Sequence, residues 1–321
     1  MSARENTELG ALIALFAGAM STGAAGVLVR LADTGPTATA FWRGLLALPF
    51  LALWALFESN AAPSRVAANA TALVASFRDP RFLWPGVFFA GDLALWHWSL
   101  LLTSIAASTL EASLAPLIVT LVAWLWWRER PSSGFLLASG LAFTGMLLIV
   151  SPKFGQGGAA YLGDALGLGT ACFFAAYLLA VARLRARYST GIVMFNLTVV
   201  FTLLLLPLAL TQKFLPETPS GWGAVLGCAL AAQVIGQGLI AYALAHLRPS
   251  FSALGLLVQT LGAALAAWLV LGERLTPIQI LGAVVVVGGI ALARASGKSA
   301  TAASKATTAA AAAASLRALG D

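Results

Sequence analysis

AWLWWRER (Ala123–Arg130) returns 144 positions later as AWLVLGER (Ala267–Arg274), each closing an apolar run of roughly 20 residues. With no gap, Ser108, Leu110, Leu117, Leu121, Ala123, Trp124, Leu125, Glu129 and Arg130 match Ser252, Leu254, Leu261, Leu265, Ala267, Trp268, Leu269, Glu273 and Arg274. Leu and Ala coincide often in so apolar a chain, so the Trp and the Glu-Arg pair carry the match. The chain reads as one unit written twice.

Around that echo the composition is far from soluble. Apolar residues make up 60% of the chain and charged residues 10%, with mean hydropathy +0.89; a soluble domain carries about 25% charged residues. Ten apolar runs approach the ~20 residues that cross ~30 Å of hydrocarbon: 10–29, 36–57, 82–103, 106–127, 134–151, 161–182, 190–210, 222–246, 250–271 and 276–294. They are apolar on all faces and lack the two-residue period of a membrane barrel. The expected fold is an all-α integral membrane protein, ten transmembrane helices arranged as two inverted five-helix repeats.

The net charge of +7 does not point to nucleic acid. With the N-terminus inside, the inside loops and tails hold every one of the 19 Lys and Arg residues except Arg30, Arg43, Lys153, Lys213 and Arg274. That is the positive-inside bias of a plasma (inner) membrane protein with both termini cytoplasmic. The first run is longer than the apolar core of a cleaved signal, and Glu5 and Glu8 dilute its basic start. Cys172 and Cys228 lie in separate runs, with no spacing for a disulfide framework or a metal, and read as packing residues.

The runs divide into two fives at Pro152–Ala160, whose Gly-Gln-Gly-Gly is a flexible connection. Residues 1–152 form the first repeat, 153–296 the second, and 297–321 an Ala-rich low-complexity cytoplasmic tail. Five spans per copy make the second copy enter from the opposite side, an inverted repeat with its substrate site at the midplane. Val66–Phe77 reads as a short interfacial helix. Gly297-Lys298-Ser299 imitates the end of a phosphate loop, but Leu292 stands where the first Gly is required. Movement of a solute therefore draws on a gradient or on exchange.

Ionisable residues within spans cost ~2.5–3.5 kcal/mol each at the bilayer centre and need a partner or a wet cavity. At ~1.5 Å per residue, Asp92 falls near the midplane, as do Gln233, Gln237 and Gln259; Asn196 and Tyr177 sit lower, toward the cytoplasm. Arg43, His97 and Glu111 form an outer group, in which Arg43 pairs with Glu111 to line or close an outer vestibule, or else as a static ion pair. Asp92 is a candidate for substrate binding or proton coupling, or a neutralised buried acid. Trp96, four residues on, shares its face. Gln233 and Gln237 share a helix face too, as solute ligands or as interhelical glue. Pro116 frees the carbonyl of Ala112 and kinks the fourth span, as a hinge or a fixed bend. Gly163/Gly167 and Gly288/Gly289 read as close helix contacts. His97 has no companion at metal-ligand spacing.

Two five-helix copies, each with a fourth span ending in Glu-Arg and a Gly-bearing fifth span, resemble the EamA family of the drug/metabolite transporter superfamily. GDLALWHWSLLLTSIAASTLEASLAPLIVTLVAWLWWRERPS (Gly91–Ser132) is similar to the third-to-fifth-span signature of bacterial members, and the resemblance covers roughly residues 10–295. It implies a central cavity lined by spans one to four and six to nine, and a cargo among amino acids, other small metabolites, cofactors or drugs. The family often has Pro in the fourth span of each copy. Pro116 fits, but Thr260 stands at the matching position, which argues against a symmetric gate.

The expected activity is secondary transport of a small polar or zwitterionic metabolite by alternating access, the two copies rocking about a midplane site. Substrate-binding candidates are Asp92, Trp96, Gln233, Gln237, Gln259, Tyr177 and Asn196; gating or coupling candidates are Arg43, Glu111, His97 and Pro116. The partners are a small-molecule substrate and the lipid bilayer, with proton coupling or exchange as the drive, no cofactor and no metal. The competing class is a membrane-embedded enzyme or lipid-handling protein. No HExxH and no nucleophile–base pair supports it.

Overall fold

The computed structural model describes residues 3–58, 63–102, 112–128, 131–150, 161–272 and 276–296, and every regular element among them is helical. The first half supplies α1 (Ala3–Gly23), α2 (Ala25–Leu31), α3 (Pro36–Phe57) and α4 (Pro63–Ser76). It continues with α5 (Leu83–Leu102), α6 (Ala115–Trp127) and α7 (Ser133–Val150). The second half runs through α8 (Tyr161–Arg185), α9 (Thr190–Ala209), α10 (Pro219–Gly227), a π-helical stretch Cys228–Gln237 and α11 (Gly238–Leu244). It ends with α12 (Pro249–Gly255), α13 (Val258–Leu271) and α14 (Pro277–Ser296). Seven helical stretches among the described residues are long and apolar enough to cross a membrane: Glu5–Leu31, Pro36–Phe57, Tyr161–Arg185, Thr190–Ala209, Pro219–Leu244, Pro249–Leu271 and Pro277–Ser296. The three other expected runs hold α5, α6 and α7. In lipid a helix satisfies its own backbone polar groups, which is why such runs take this form.

Local chemistry sets the helix ends. Prolines stand in the first turns of α3, α6, α10 and α12, where a missing N–H costs nothing. The repeated motif makes the same stop twice. Arg128 (φ 56°) and Gly272 (φ 68°), at matching positions, are left-handed, and their N–H groups reach back to the carbonyls of Ala123 and Ala267. Trp124 and Trp268 are 47% and 49% exposed, so the motif's Trp faces outward in both copies. Glu129, Arg130, Glu273 and Arg274 lie outside the described residues. The short helix expected at Val66–Phe77 is α4, which packs on α3.

The two halves interleave. α5 packs along α8, α3 along α9, and α1 against the π stretch, α11 and α13. Under the 144-residue offset these contacts transpose. A Cβ on Gly145 would lie 2.6 Å from Val286 N and 2.7 Å from Gly282 O; one on Gly289 would lie 2.6 Å from Ala142 N and 2.9 Å from Ala138 O. Ala138 and Ala142 match Gly282 and Val286, so α7 and α14 meet through a pseudo-symmetric seam. Gly288 has open space instead, contrary to the expectation that it serves a helix contact. Cys172 is exposed, so only Cys228 is a buried packing residue.

α3 and α9 are tied at both ends. At one end Gln212 accepts from Thr37 N (3.0 Å) and donates to Thr37 Oγ1 (3.1 Å), while Trp42 Nε1 donates to Phe214 O (2.7 Å). At the other, the Glu58 carboxylate accepts from the N–H groups of Thr190 (2.8 Å) and Gly191 (2.7 Å), capping α9. Between them Gly191 lies against the backbone of Ala55, and Gly44 against Phe201 and Thr202.

Candidate functional site

A cavity of about 450 Å³ opens where these helices diverge. Its wall takes Thr22 and Gly23 from α1, Arg30 from α2, Arg43 from α3, and Phe89, Asp92, Trp96 and His97 from α5. Ala112–Ser113 and Pro116, Thr170 and Phe174 of α8, Gln237 of the π stretch, and Leu256–Leu257, Gln259 and Thr260 complete it. Spans one to four, six, eight and nine thus contribute directly. The seventh acts one layer back, through Thr198.

Arg43 organises the polar wall. It is 6% exposed, its Nε donates to Gln233 Oε1 (3.1 Å), and its guanidinium lies 5.5 Å from the Phe89 ring centroid. Gln233 Nε2 in turn donates to Thr198 Oγ1 (3.0 Å). This amide thus bonds to side chains of two neighbouring helices, one of them the arginine. Gln237 Oε1 accepts from Tyr177 Oη (3.0 Å), and Tyr177 stacks on Phe89 at 4.6 Å. Phe89 is the ring beneath the guanidinium, and Tyr177, which does not line the cavity itself, backs it.

Asp92, 8% exposed, lines the same cavity as Arg43, yet among the described residues no ion pair joins them. His97 Nδ1 lies 2.6 Å from the carbonyl of Leu93, which can only accept, so Nδ1 carries a proton and donates it there. Among the described residues, His97 Nε2 and Arg43 Nη2 are both buried without a hydrogen-bond partner.

Several expectations are corrected by this geometry. Arg43 and Gln233, which depth alone places in separate outer and midplane groups, are in contact. Asn196 does not line the cavity: its amide donates to Ser76 Oγ (2.8 Å) and Ile192 O (2.9 Å), docking α4 onto α9. Glu111, the expected partner of Arg43, lies outside the described residues. Pro116 does not kink a continuous helix. The chain turns at Ser113–Leu114, and the proline sits in the first turn of α6. The second half breaks at Leu256–Leu257, within one residue of the matching place, although Thr260 replaces the proline. Thr260 Oγ1 donates to the Leu257 carbonyl (2.6 Å) at that break. The two halves thus break at nearly matching places, one with a proline and one without.

The residue reading missed Thr22, Arg30, Thr170 and Thr260. The charge of Arg30 ends the apolar run and so suggests a loop, whereas α2 carries it to the cavity rim. The hydroxyls give no composition signal, since Thr is common in spans. Only the period of the helix faces could have found them.

A polytopic all-helical architecture with a buried polar cavity between interleaved copies defines a multi-pass membrane protein built to hold a solute within the bilayer. The EamA-like transporter family matches the chain twice, over residues 9–151 and 161–295, and the chain belongs to that family. It is similar to Pseudopaline exporter CntI of Pseudomonas aeruginosa strain UCBPP-PA14, 27% identical over 216 residues that cover 67% of this chain and 75% of the relative. The protein of the same name from strain PAO1 matches equally. A crystal structure of a protein 16% identical superposes with TM-score 0.69 over 91% of this chain and 97% of that chain, which shows a shared fold.

Proposed function

We propose that the protein exports a small polar, zwitterionic organic solute across the inner membrane by alternating access. The observation that carries this reading is the cavity itself, whose wall carries both the Asp92 carboxyl and the Arg43 guanidinium with no ion pair between them among the described residues. A solute bearing both an ammonium and a carboxylate satisfies both, which neither an inorganic ion nor a simple anion does. Trp96, Gln237 and Gln259 complete the wall, and proton coupling or exchange supplies the drive. The export direction follows the named activity of the relatives.

The arrangement has ten spans in two inverted repeats (residues 1–152 and 153–296), a tail at 297–321, and both termini in the cytoplasm. The interleaved packing favours two moving bundles that each draw on both repeats. One holds α5, α6 and α8, the other α1, the π stretch, α11 and α13, and α3–α9 is the post between them.

A thermal-shift screen of the purified protein, using α-amino acids and their des-amino carboxylates, tests the site. A bound solute at 100 times its Kd stabilises the folded state by about 2.7 kcal/mol. Zwitterions are expected to shift the transition more than their des-amino partners. Arg43→Ala and Asp92→Asn should each abolish that shift and the matching proteoliposome flux. Normal flux by well-folded Arg43→Ala sinks the reading.

A further inference from the structure

A second cavity lies away from the solute site, on the flank of the bundle. About 590 Å³ in volume, it is walled by Phe16, Phe251, Val258, Val287 and Ile290 and is closed at one end by Arg294. Arg294 stands two residues before the end of α14 and Glu8 near the start of the first spanning stretch, so both lie at one membrane face. Val287 is seven residues deeper than Arg294, or ~10 Å along the helix. The groove therefore enters the hydrocarbon from the headgroup level, and below its charged mouth the wall is apolar and open to the side: Val287 is 52% exposed.

The charges at the mouth are loosely held. Arg294 Nη2 stands 3.8 Å from Glu8 Oε1, against ~2.7–2.9 Å for a close charge-assisted bond. Both side chains are about 40% exposed, where such a pair contributes little. Among the described residues, Arg294 Nε is buried without a partner. A cation with an unmet donor, an anion beside it and an apolar trench below match one class of molecule.

We propose that this groove binds an aminophospholipid, with an acyl chain along Phe16 and Val287, the phosphate on Arg294 and the headgroup ammonium on Glu8. The site borders α1 and α12–α13, so its occupant touches the helices that wall the solute cavity.

Native mass spectrometry of the full-length protein in mild detergent tests the site, with dioleoyl phosphatidylethanolamine, phosphatidylglycerol and diacylglycerol as probes. Phosphatidylethanolamine is expected to be retained well above diacylglycerol. Arg294→Gln should lower that retention about tenfold, and Val287→Trp, which fills the trench without touching a charge, should lower it similarly. Glu8→Gln should reduce phosphatidylethanolamine but not phosphatidylglycerol. Both Arg294→Gln and Val287→Trp change partly exposed positions, and an unchanged melting temperature certifies their fold. Wild-type retention in either variant, or diacylglycerol bound as well as phospholipid, overturns the proposal.

Discussion

Asp79 occupies the turn before α5 and joins two loops. Its carboxylate accepts from Arg81 Nη2 (2.6 Å) and Nε (2.9 Å) and from Tyr188 Oη (2.7 Å). The Arg81 guanidinium first, then the Tyr188 hydroxyl, hold this carboxyl well below the usual range, outweighing partial burial. The same contact pushes the Tyr188 phenol up. A depressed carboxylate contributes stability above its unfolded pKa and loses it as pH falls through the folded one. The gap in melting temperature between wild type and Asp79→Asn should therefore be constant from neutral pH to about pH 4, near the free Asp value, and shrink only below that. Thermal melts across pH 3 to 7 measure it, and a gap that closes already at pH 5 to 6 disproves the assignment. Side chains of this kind were only partly legible. Asp92, Trp96, Gln237 and Gln259 could be placed on the cavity from charge and depth alone. The Arg43–Gln233 contact could not, because depth arithmetic assumes upright, regular helices and ignores the several ångströms that a long guanidinium stem spans. The same arithmetic could not tell that Asn196 would be spent on Ser76, since the loop helix carrying Ser76 has no depth to compare.

At the scale of elements, apolar run length anticipated the seven stretches long enough to cross a membrane among the described residues, and helix in the other three expected runs. Helix interruptions were less visible. A proline announces the break before α6, but the break at Leu256–Leu257 has no proline, and the π winding of Cys228–Gln237 has no compositional mark. π stretches are frequent at functional sites, and this one carries Gln233 and Gln237. Small residues give the sharper contrast. Gly289 faces the backbone of Ala138 and Ala142, whereas its neighbour Gly288 is exposed and meets nothing. Gly289→Ala should destabilise by about 1–3 kcal/mol, because backbone cannot yield as a side chain can. Gly288→Ala should be neutral or stabilise by about 0.5–1 kcal/mol through the higher helix propensity of alanine. Melting temperatures of the two purified variants decide it, and equal effects would mean that the α7–α14 seam does not lie where the transposed contacts put it.

At the scale of the whole molecule, a duplicated sequence invites two rigid halves that rock against each other, yet the strongest contacts run between copies. α5 lies on α8 and α1 on the π stretch and α11, so a motion separating the repeats would have to break both seams, together with the double-ended tie between α3 and α9. Interfaces packed this closely move as units. A covalent staple discriminates the two motions. An ideal Cβ on Gly91 of α5 lies 3.0 Å from Cγ of Phe173 on α8, the place where the sulfur of a cysteine substituted at 173 would stand. The pair Gly91→Cys and Phe173→Cys, in a background of Cys172→Ser and Cys228→Ala to prevent exchange, should therefore oxidise readily. If α5 and α8 travel together, the oxidised protein should keep proteoliposome flux within about twofold of its reduced form. If the sequence halves are the moving bodies, oxidation should stop flux and a reductant should restore it, because the staple would then cross the sliding interface.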